Sequence, residues 1–451
     1  MFLKKRNKLR VLIVATSDSI HTARWLDQIS DQGWEIHLFP CINHGVVHPK
    51  ISKVTIHHLL YTKKHNEEKS NHDIKNKGLY FPFNPLELMS DFILVVNAFI
   101  NKYLPDYQLR RLRRLIKKIK PDIIHSLEFQ HSSYLTLQSL YRDYIPINFR
   151  NVLKFLLRKL IRRQNNSVSM NKDVISFPLS GTRVIGQTSK WIATNWGSDI
   201  YLFGRLSAHK EKIRQVLTNC DYYSCECFRD VELAKAYGLK GKTLPVFPNT
   251  GGFDLEKIYK FRQPGLTSER RLIMLKGYQG WAYRALVGLR ALERCADILK
   301  GYTVAVYLGF TKEVKIAAEL FSHSTGIPVK MIPYTSHDEI LRYHGQARVS
   351  IGLSISDAIS TSFLEALVMG SFPIQSWTAC ADEWIEDGKT GLLVPPEDPD
   401  VVEKAIRRAL TDDELVNRAA EENWRTAIER LDASKLKEKV INFYGEVIGN
   451  Q

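Results

Sequence analysis

The sequence predicts an α/β protein made of two doubly wound, parallel-sheet units facing a central cleft. Three observations carry this. Short runs rich in β-branched residues alternate with segments of helical period along most of the 451 residues, the pattern of parallel strands covered by helices. The series pauses in a loop-like stretch at 248–265, with Asn249-Thr250-Gly251-Gly252 and Pro264-Gly265, and then starts again. The length suits two or three domains of about 150 residues each.

Taken in order, residues 11–15 (VLIVA) read as a first buried strand and 21–32 as a helix ended by Gly33. Strands follow at 35–39 and 54–58, and then a polar, less regular stretch. Residues 109–120 (LRRLRRLIKKIK) put Leu109, Leu112, Leu115, Ile116 and Ile119 on one helical face. Pro121 stops that helix before a strand at 122–125. A strand at 191–194 runs into Asn195-Trp196-Gly197-Ser198-Asp199. After the boundary, strands are predicted at 271–275, 303–308, 349–353, 372–375 and 391–394, with helices over 284–299, 363–369 and 401–410. The expected domains are 1–255, 256–425, and a final helix in 426–451 packing back toward the first unit.

Composition narrows the class. With 44% apolar, 25% charged and 10% aromatic residues, the chain can bury an ordinary core, which excludes a disordered tail, a collagen and a coiled-coil rod. Six cysteines are sparse; Cys225 and Cys227 lie close together but no second pair accompanies them, so a reducing compartment and no structural zinc are expected. The net charge is +16, and 13 of those charges fall in two runs without an acidic residue, 109–120 and 148–163. That concentration points to a localised anionic partner. The first run reads as a helix covering a sheet. In the second, Phe149, Val152, Leu153, Leu156 and Leu160 line one face while Arg150, Lys154, Arg158 and Arg162 line the other, a basic amphipathic helix suited to an anionic membrane surface. No secretory signal is visible, and no apolar run approaches the roughly 20 residues that cross a bilayer. The expectation is a cytoplasmic protein held peripherally on the inner face of the membrane. No RNP-like aromatic pattern, zinc finger or helix-turn-helix signature is present, so nucleic acid is not expected as a partner.

The densest chemical signal is 354–370 (SISDAISTSFLEALVMG) followed by Ser371-Phe372-Pro373. A strand ends, a small-residue loop follows and a helix begins near Ser362, aiming backbone N–H groups and a positive helix end at a cleft ligand. Asp357 and Glu365 flank that turn. The same residues admit a plainer reading, with Ser362-Phe363-Leu364-Glu365 as a capping box in which Glu365 only satisfies a terminal amide. Asp398-Pro399-Asp400 reads as a helix cap with Pro in the first turn rather than a metal motif.

These residues resemble the donor-sugar motif of the retaining family 4 (group 1) glycosyltransferases of the GT-B fold, in which a Glu, seven residues and a second Glu run into a helix and then Gly-x-Pro. Asp357 stands at the first acidic position and Glu365 at the second. Trp196-Gly197-Ser198-Asp199 resembles the family's His-Gly-x-Asp turn, and Pro248-Asn249-Thr250-Gly251-Gly252-Phe253-Asp254 its Pro-Asn-Gly-Val-Asp interdomain segment. The stretch 386–394 (EDGKTGLLV) is similar to its Gly-x-x-Gly-Leu-Leu-Val hairpin. The resemblance implies two Rossmann-like domains. It also implies a nucleotide diphosphate sugar as donor substrate, with no cofactor and no catalytic metal. Glu365 would hold the ribose and Asp357 the sugar hydroxyls, with Ser360 and Thr361 presenting groups to the phosphates and Ser356 also on the donor side. Lys276 and Arg284, with Gly277 beside them, would supply the cations for the leaving diphosphate. On the acceptor side stand Ser17, His21, Trp196 and Asp199; Asp357, Asp199 and Arg284 are the candidates for catalysis. His125 and His131 are expected to be structural.

The implied activity is transfer of a sugar, with retention, to a lipid-linked or glycan acceptor in bacterial envelope polysaccharide assembly. Asp357 and Trp196 depart from the commoner Glu and His, which keeps a non-catalytic sugar-nucleotide binder open. A nucleotide-sugar epimerase and a soluble disaccharide synthase are further alternatives, and a basic nucleic-acid-binding protein is the remote one.

Overall fold

The computed structural model describes residues 8–42, 45–62, 74–81, 105–141, 183–186 and 188–449. The basic helix expected at 148–163 lies outside the described residues.

Two parallel sheets organise the chain. The first runs β4-β3-β2-β1-β5-β6-β7-β8, from β1 (Arg10–Ala15), β2 (Glu35–Pro40), β3 (Thr55–Thr62) and β4 (Lys75–Phe81) to β5 (Ile123–Leu127), β6 (Lys190–Thr194), β7 (Tyr222–Ser224) and β8 (Lys242–Thr243). The second runs β11-β10-β9-β12-β13-β14, built from β9 (Leu272–Lys276), β10 (Thr303–Tyr307), β11 (Val329–Met331), β12 (Ala347–Gly352), β13 (Phe372–Ser376) and β14 (Leu392–Val394). Central strands such as β1 and β5 are buried on both faces, with His125 and Ser126 the polar residues of β5, as a parallel sheet covered by helices requires.

The helices that matter below are α1 (Ile20–Ile29), α2 (Pro105–Ile119), α3 (Phe228–Ala236), α4 (Ala285–Arg294), α5 (His337–Gln346), α6 (Thr361–Met369), α7 (Pro399–Thr411), α8 (Asp413–Arg430) and α9 (Ala433–Gly449). α1 stops at Ile29, short of the predicted end, and Gly33 turns the chain into β2 with φ +70°. The helix expected over 284–299 is α4 followed by a tighter turn at 296–298. β4 was not expected: KNKGLYF carries polar residues because it is an outer strand, where apolar alternation is not demanded. Asp398 caps α7, accepting from Asp400 N and Val401 N with Pro399 in the first turn.

α9 returns to the first sheet and enters its core beside Trp25, with Leu436, Val440, Phe443, Tyr444 and Val447 buried. The Tyr444 hydroxyl accepts from Trp25 Nε1 at 2.8 Å and lies 2.8 Å from His125 Nδ1. In each sheet the strand order reverses about one strand, β1 between β2 and β5 and β9 between β10 and β12. Loops leaving such strands diverge and open a crevice at their carboxyl ends. Among the described residues no helix is long and apolar enough to cross a membrane.

Candidate functional site

The loop between β12 and α6 forms one wall of the site. Ser360 is the residue before α6, and no side chain caps the helix, which leaves its positive end for a ligand; Phe363 N donates to the Ser360 carbonyl at 3.0 Å. Lys276, the last residue of β9, reaches the same turn: its Nζ donates to Ser360 Oγ at 2.9 Å and stands 3.8 Å from Asp357 Oδ2. The ammonium also lies 4.8 Å from the Tyr283 ring centroid, an aromatic face that attracts a cation. Burial lowers the Lys276 pKa, while Asp357 and Glu365 pull it back up. A cation, an open helix end and a carboxylate thus meet in one turn, which suits a phosphate bearing a hydroxylated group.

Glu365 does not act as a cap, because α6 begins at Thr361 and leaves it a full turn inside the helix. Its carboxylate is buried instead, with Oε1 at 2.8 Å from His337 Nε2 and Oε2 at 3.8 Å from His344 Nε2. Burial pushes its pKa up, but the His337 hydrogen bond, the two imidazoles and Arg24 together hold it below the usual value. It stays an acceptor.

The first sheet supplies the opposite wall. The turn Trp196–Asp199 docks directly on the loop between β12 and α6: Ser198 Oγ donates to the Ser356 carbonyl at 3.2 Å, and Ser356 Oγ donates to Ser198 Oγ at 2.9 Å. Gly197 permits this approach. It has φ +95°, and a Cβ there would sit 2.2 Å from Ala358 N. Asp199 shapes the turn, with Oδ1 accepting from Trp196 N at 2.9 Å and Oδ2 from Phe129 N at 3.0 Å. Burial, then Glu128 and Asp230, raise its pKa well above the carboxylate range. The Ser17 hydroxyl is committed to the Val46 carbonyl at 2.6 Å. His21 packs 5.2 Å from the Trp196 ring and is pushed down to about 4 by burial, Arg24 and Lys276, so it is neutral at pH 7.

The remaining expected residues fall as follows. Thr361 opens α6. Gly277 lets β9 lie close to β10, since a Cβ would be 2.8 Å from Val306 Cγ1. Arg284 is turned to the rim, where Nε and Nη2 donate to Glu397 Oε1 at 2.9 and 2.8 Å and Nη1 to the Gly280 and Tyr283 carbonyls. Lys276 and Arg284 thus have different partners, Ser360 and Asp357 for the one and Glu397 for the other. His125 is fully buried between Tyr444 and Thr194, a core group.

Four residues at the site escaped the sequence reading. Arg24, one turn beyond His21 on α1, is lowered by burial and raised by Glu365; its helical spacing from His21 was the available signal. His337 opens α5 and orients Glu365. Arg229 joins the two walls, donating to the carbonyls of Asp357 at 2.8 Å and Thr378 at 3.0 Å and to Asp230 Oδ1 at 3.0 Å. Glu226 accepts from Asn249 N at 2.7 Å and is raised to about 8, by burial first and then by Asp357, Asp230 and Asp199, against the Asn249 N–H. No local pattern announces these last three.

Residues 308–425, which hold the loop between β12 and α6 and that helix, match the family model described as glycosyl transferases group 1. This segment is similar to the group 1 glycosyl transferases. The whole chain has the GT-B fold, two parallel α/β units set about a cleft. It is similar to sucrose-phosphate synthase from Thermosynechococcus elongatus at 13% identity and TM-score 0.61, covering 98% of this chain and 100% of that one. It is also similar to the Anabaena protein HepE, solved with UDP and glucose, at 12% identity and TM-score 0.58, over 97% and 99%. A third is an α,α-trehalose-phosphate synthase from Burkholderia xenovorans, solved with glucose-6-phosphate, at 12% identity and TM-score 0.59, over 97% and 99%. No curated protein matches the chain by sequence. Within the matched segment, the loop between β12 and α6 is where Lys276 and Arg229 converge.

Proposed function

We propose that the protein is a glycosyltransferase that moves a sugar from a nucleotide diphosphate donor to a lipid-linked or glycan acceptor with retained configuration. The observation that carries this reading is the convergence of Lys276, Asp357 and Ser360 at the uncapped start of α6, with Glu365 held by His337 within the same helix. The UDP in the HepE structure supports a nucleotide donor. On this reading Lys276 and the α6 N–H groups stabilise the charge that develops on the departing diphosphate. Glu365 accepts from ribose hydroxyls and Asp357 from those of the sugar. The neutral His21, the Trp196 ring and Arg24 line the acceptor side. Retention fits a site in which no strong base stands there among the described residues: a leaving phosphate oxygen takes the acceptor proton on the face from which it departs. Asp398 serving as a helix cap supports a metal-independent reaction. Envelope polysaccharide assembly and peripheral attachment through 148–163 complete the proposal; both follow from the family resemblance and the basic run.

The test is a thermal-shift screen against nucleotide diphosphate sugars, followed by assay of nucleotide diphosphate release on adding acceptor. Glu365→Gln is expected to abolish donor-induced stabilisation and keep the fold. Unchanged donor affinity in that variant would refute the ribose role. Donor binding without acceptor-dependent release would leave a binder, not a transferase.

A further inference from the structure

Away from the donor turn, the two walls meet at a pair of cysteines. Cys227 precedes α3 on the first unit, and Cys380 lies just after β13 on the second. Their sulfurs are 3.0 Å apart although 153 residues separate them in the chain. Both side chains are buried, at 0% and 1% exposure, yet each is close to the rim: the next residue, Phe228, is 61% exposed, and Trp377, three before Cys380, is 57% exposed. Cys225, the partner that sequence proximity suggests, instead donates to the Cys227 carbonyl.

We propose that Cys227 and Cys380 are a covalent cross-linking site between the two units, oxidised by a low-molecular-weight disulfide. A disulfide needs sulfurs about 2.05 Å apart, so a closure of about 1 Å completes the bond. Glu383 completes a set of three groups whose ligand atoms lie within 4.8 Å, but the arrangement favours a bond over a metal. Sulfurs sharing a tetrahedral zinc at about 2.3 Å each stand about 3.8 Å from one another, farther than these. The two Glu383 oxygens already accept from Phe228 N at 2.9 Å and Arg229 N at 3.0 Å. The Arg229 guanidinium beside both sulfurs opposes a second cation; it pulls both thiols down, but the contact with Cys380 and burial hold Cys227 above the ordinary thiol value, and burial does the same for Cys380.

The chemistry balances as two exchanges. One cysteine loses its proton and attacks a sulfur of the small disulfide, forming a mixed disulfide and releasing the first small thiol. The second cysteine, also deprotonated, attacks the protein sulfur of that mixed disulfide and releases the second small thiol. The protein dithiol is oxidised by two electrons and the small disulfide is reduced to two thiols, which take up the two protons. The cross-link fastens the seam beside the loop that carries Asp357, to which Arg229 already donates.

The experiment exposes the folded, metal-free-buffer protein to hydroxyethyl disulfide, then denatures it, alkylates free thiols and maps the peptides. The expected result is alkylation of four of the six cysteines and one linked peptide pair containing Cys227 and Cys380. Because the bond closes so long a loop, the thermal midpoint should rise by roughly 5–10 °C, and dithiothreitol should reverse it. C227S and C380S should each abolish the shift, and C295S should retain it. If a serine variant fails to fold, the wild-type peptide map decides alone. Six alkylated cysteines, a pair that includes Cys225, mixed disulfides only, or stoichiometric zinc in the purified protein would each overturn the proposal. None of these outcomes depends on whether the cleft binds a sugar nucleotide.

Discussion

At the scale of single residues, the two expected diphosphate cations separate by environment. Lys276 is buried against Ser360 and Asp357, whereas Arg284 is occupied at the rim by an exposed Glu397. Lys276→Met is therefore expected to lower kcat/KM by about 10²–10³-fold, the scale of losing one preorganised charge contact. Arg284→Ala should change it by less than about threefold, because exposed ion pairs contribute little. Steady-state kinetics on both variants check the contrast. Glu226 gives a pH signature. Its folded pKa of about 8 lies above an unfolded value near 4.3, so the folded state binds the proton more tightly. Its contribution to stability is full below the unfolded value and is lost as pH rises through about 8. Thermal midpoints of the wild type should therefore fall between pH 5 and 9 relative to those of Glu226→Gln, whose profile should be flatter.

At the scale of elements, α9 and α6 show how one helix can serve two regions. α9 follows α8 of the second unit in the chain but is buried in the first core, where the Tyr444 hydroxyl meets Trp25 and His125. Tyr444→Phe keeps the ring and strands two buried polar groups. A cost of about 1–3 kcal/mol is expected, read as a lower midpoint in denaturant with an unchanged m-value. α6 was legible as a helix entered from a small-residue loop, because strand, turn and helix are local patterns. Its start was misplaced by two residues, and with it the capping box, because Ser362 and Glu365 spell a cap that tertiary contacts with His337 override. β4 was illegible for the opposite reason: an outer strand carries no apolar alternation to read.

At the scale of the whole molecule, the cleft is closed at one point by backbone meeting backbone. Gly197 lies against Ala358, and the Ser198–Ser356 hydrogen bonds and the Arg229 contacts surround that approach. Gly197→Ala must place a methyl where Ala358 N sits and hold φ +95°. It is expected to cost at least tenfold in kcat/KM while leaving far-UV circular dichroism unchanged, since both sheets form without this contact.

By itself the sequence determined the parallel α/β character, the restart after residue 265, the central strands and the turn that opens α6. All of these are written in neighbouring residues, as burial period, Pro and Gly punctuation, and the small side chains of a loop. Only the tertiary structure decided that Lys276 meets Ser360, that His337 holds Glu365, that Arg284 pairs with Glu397 and that Cys227 lies against Cys380. Those pairings join residues tens to hundreds of positions apart. Which buried charge finds which partner depends on how two sheets and a returning helix pack, and no local spacing encodes that packing.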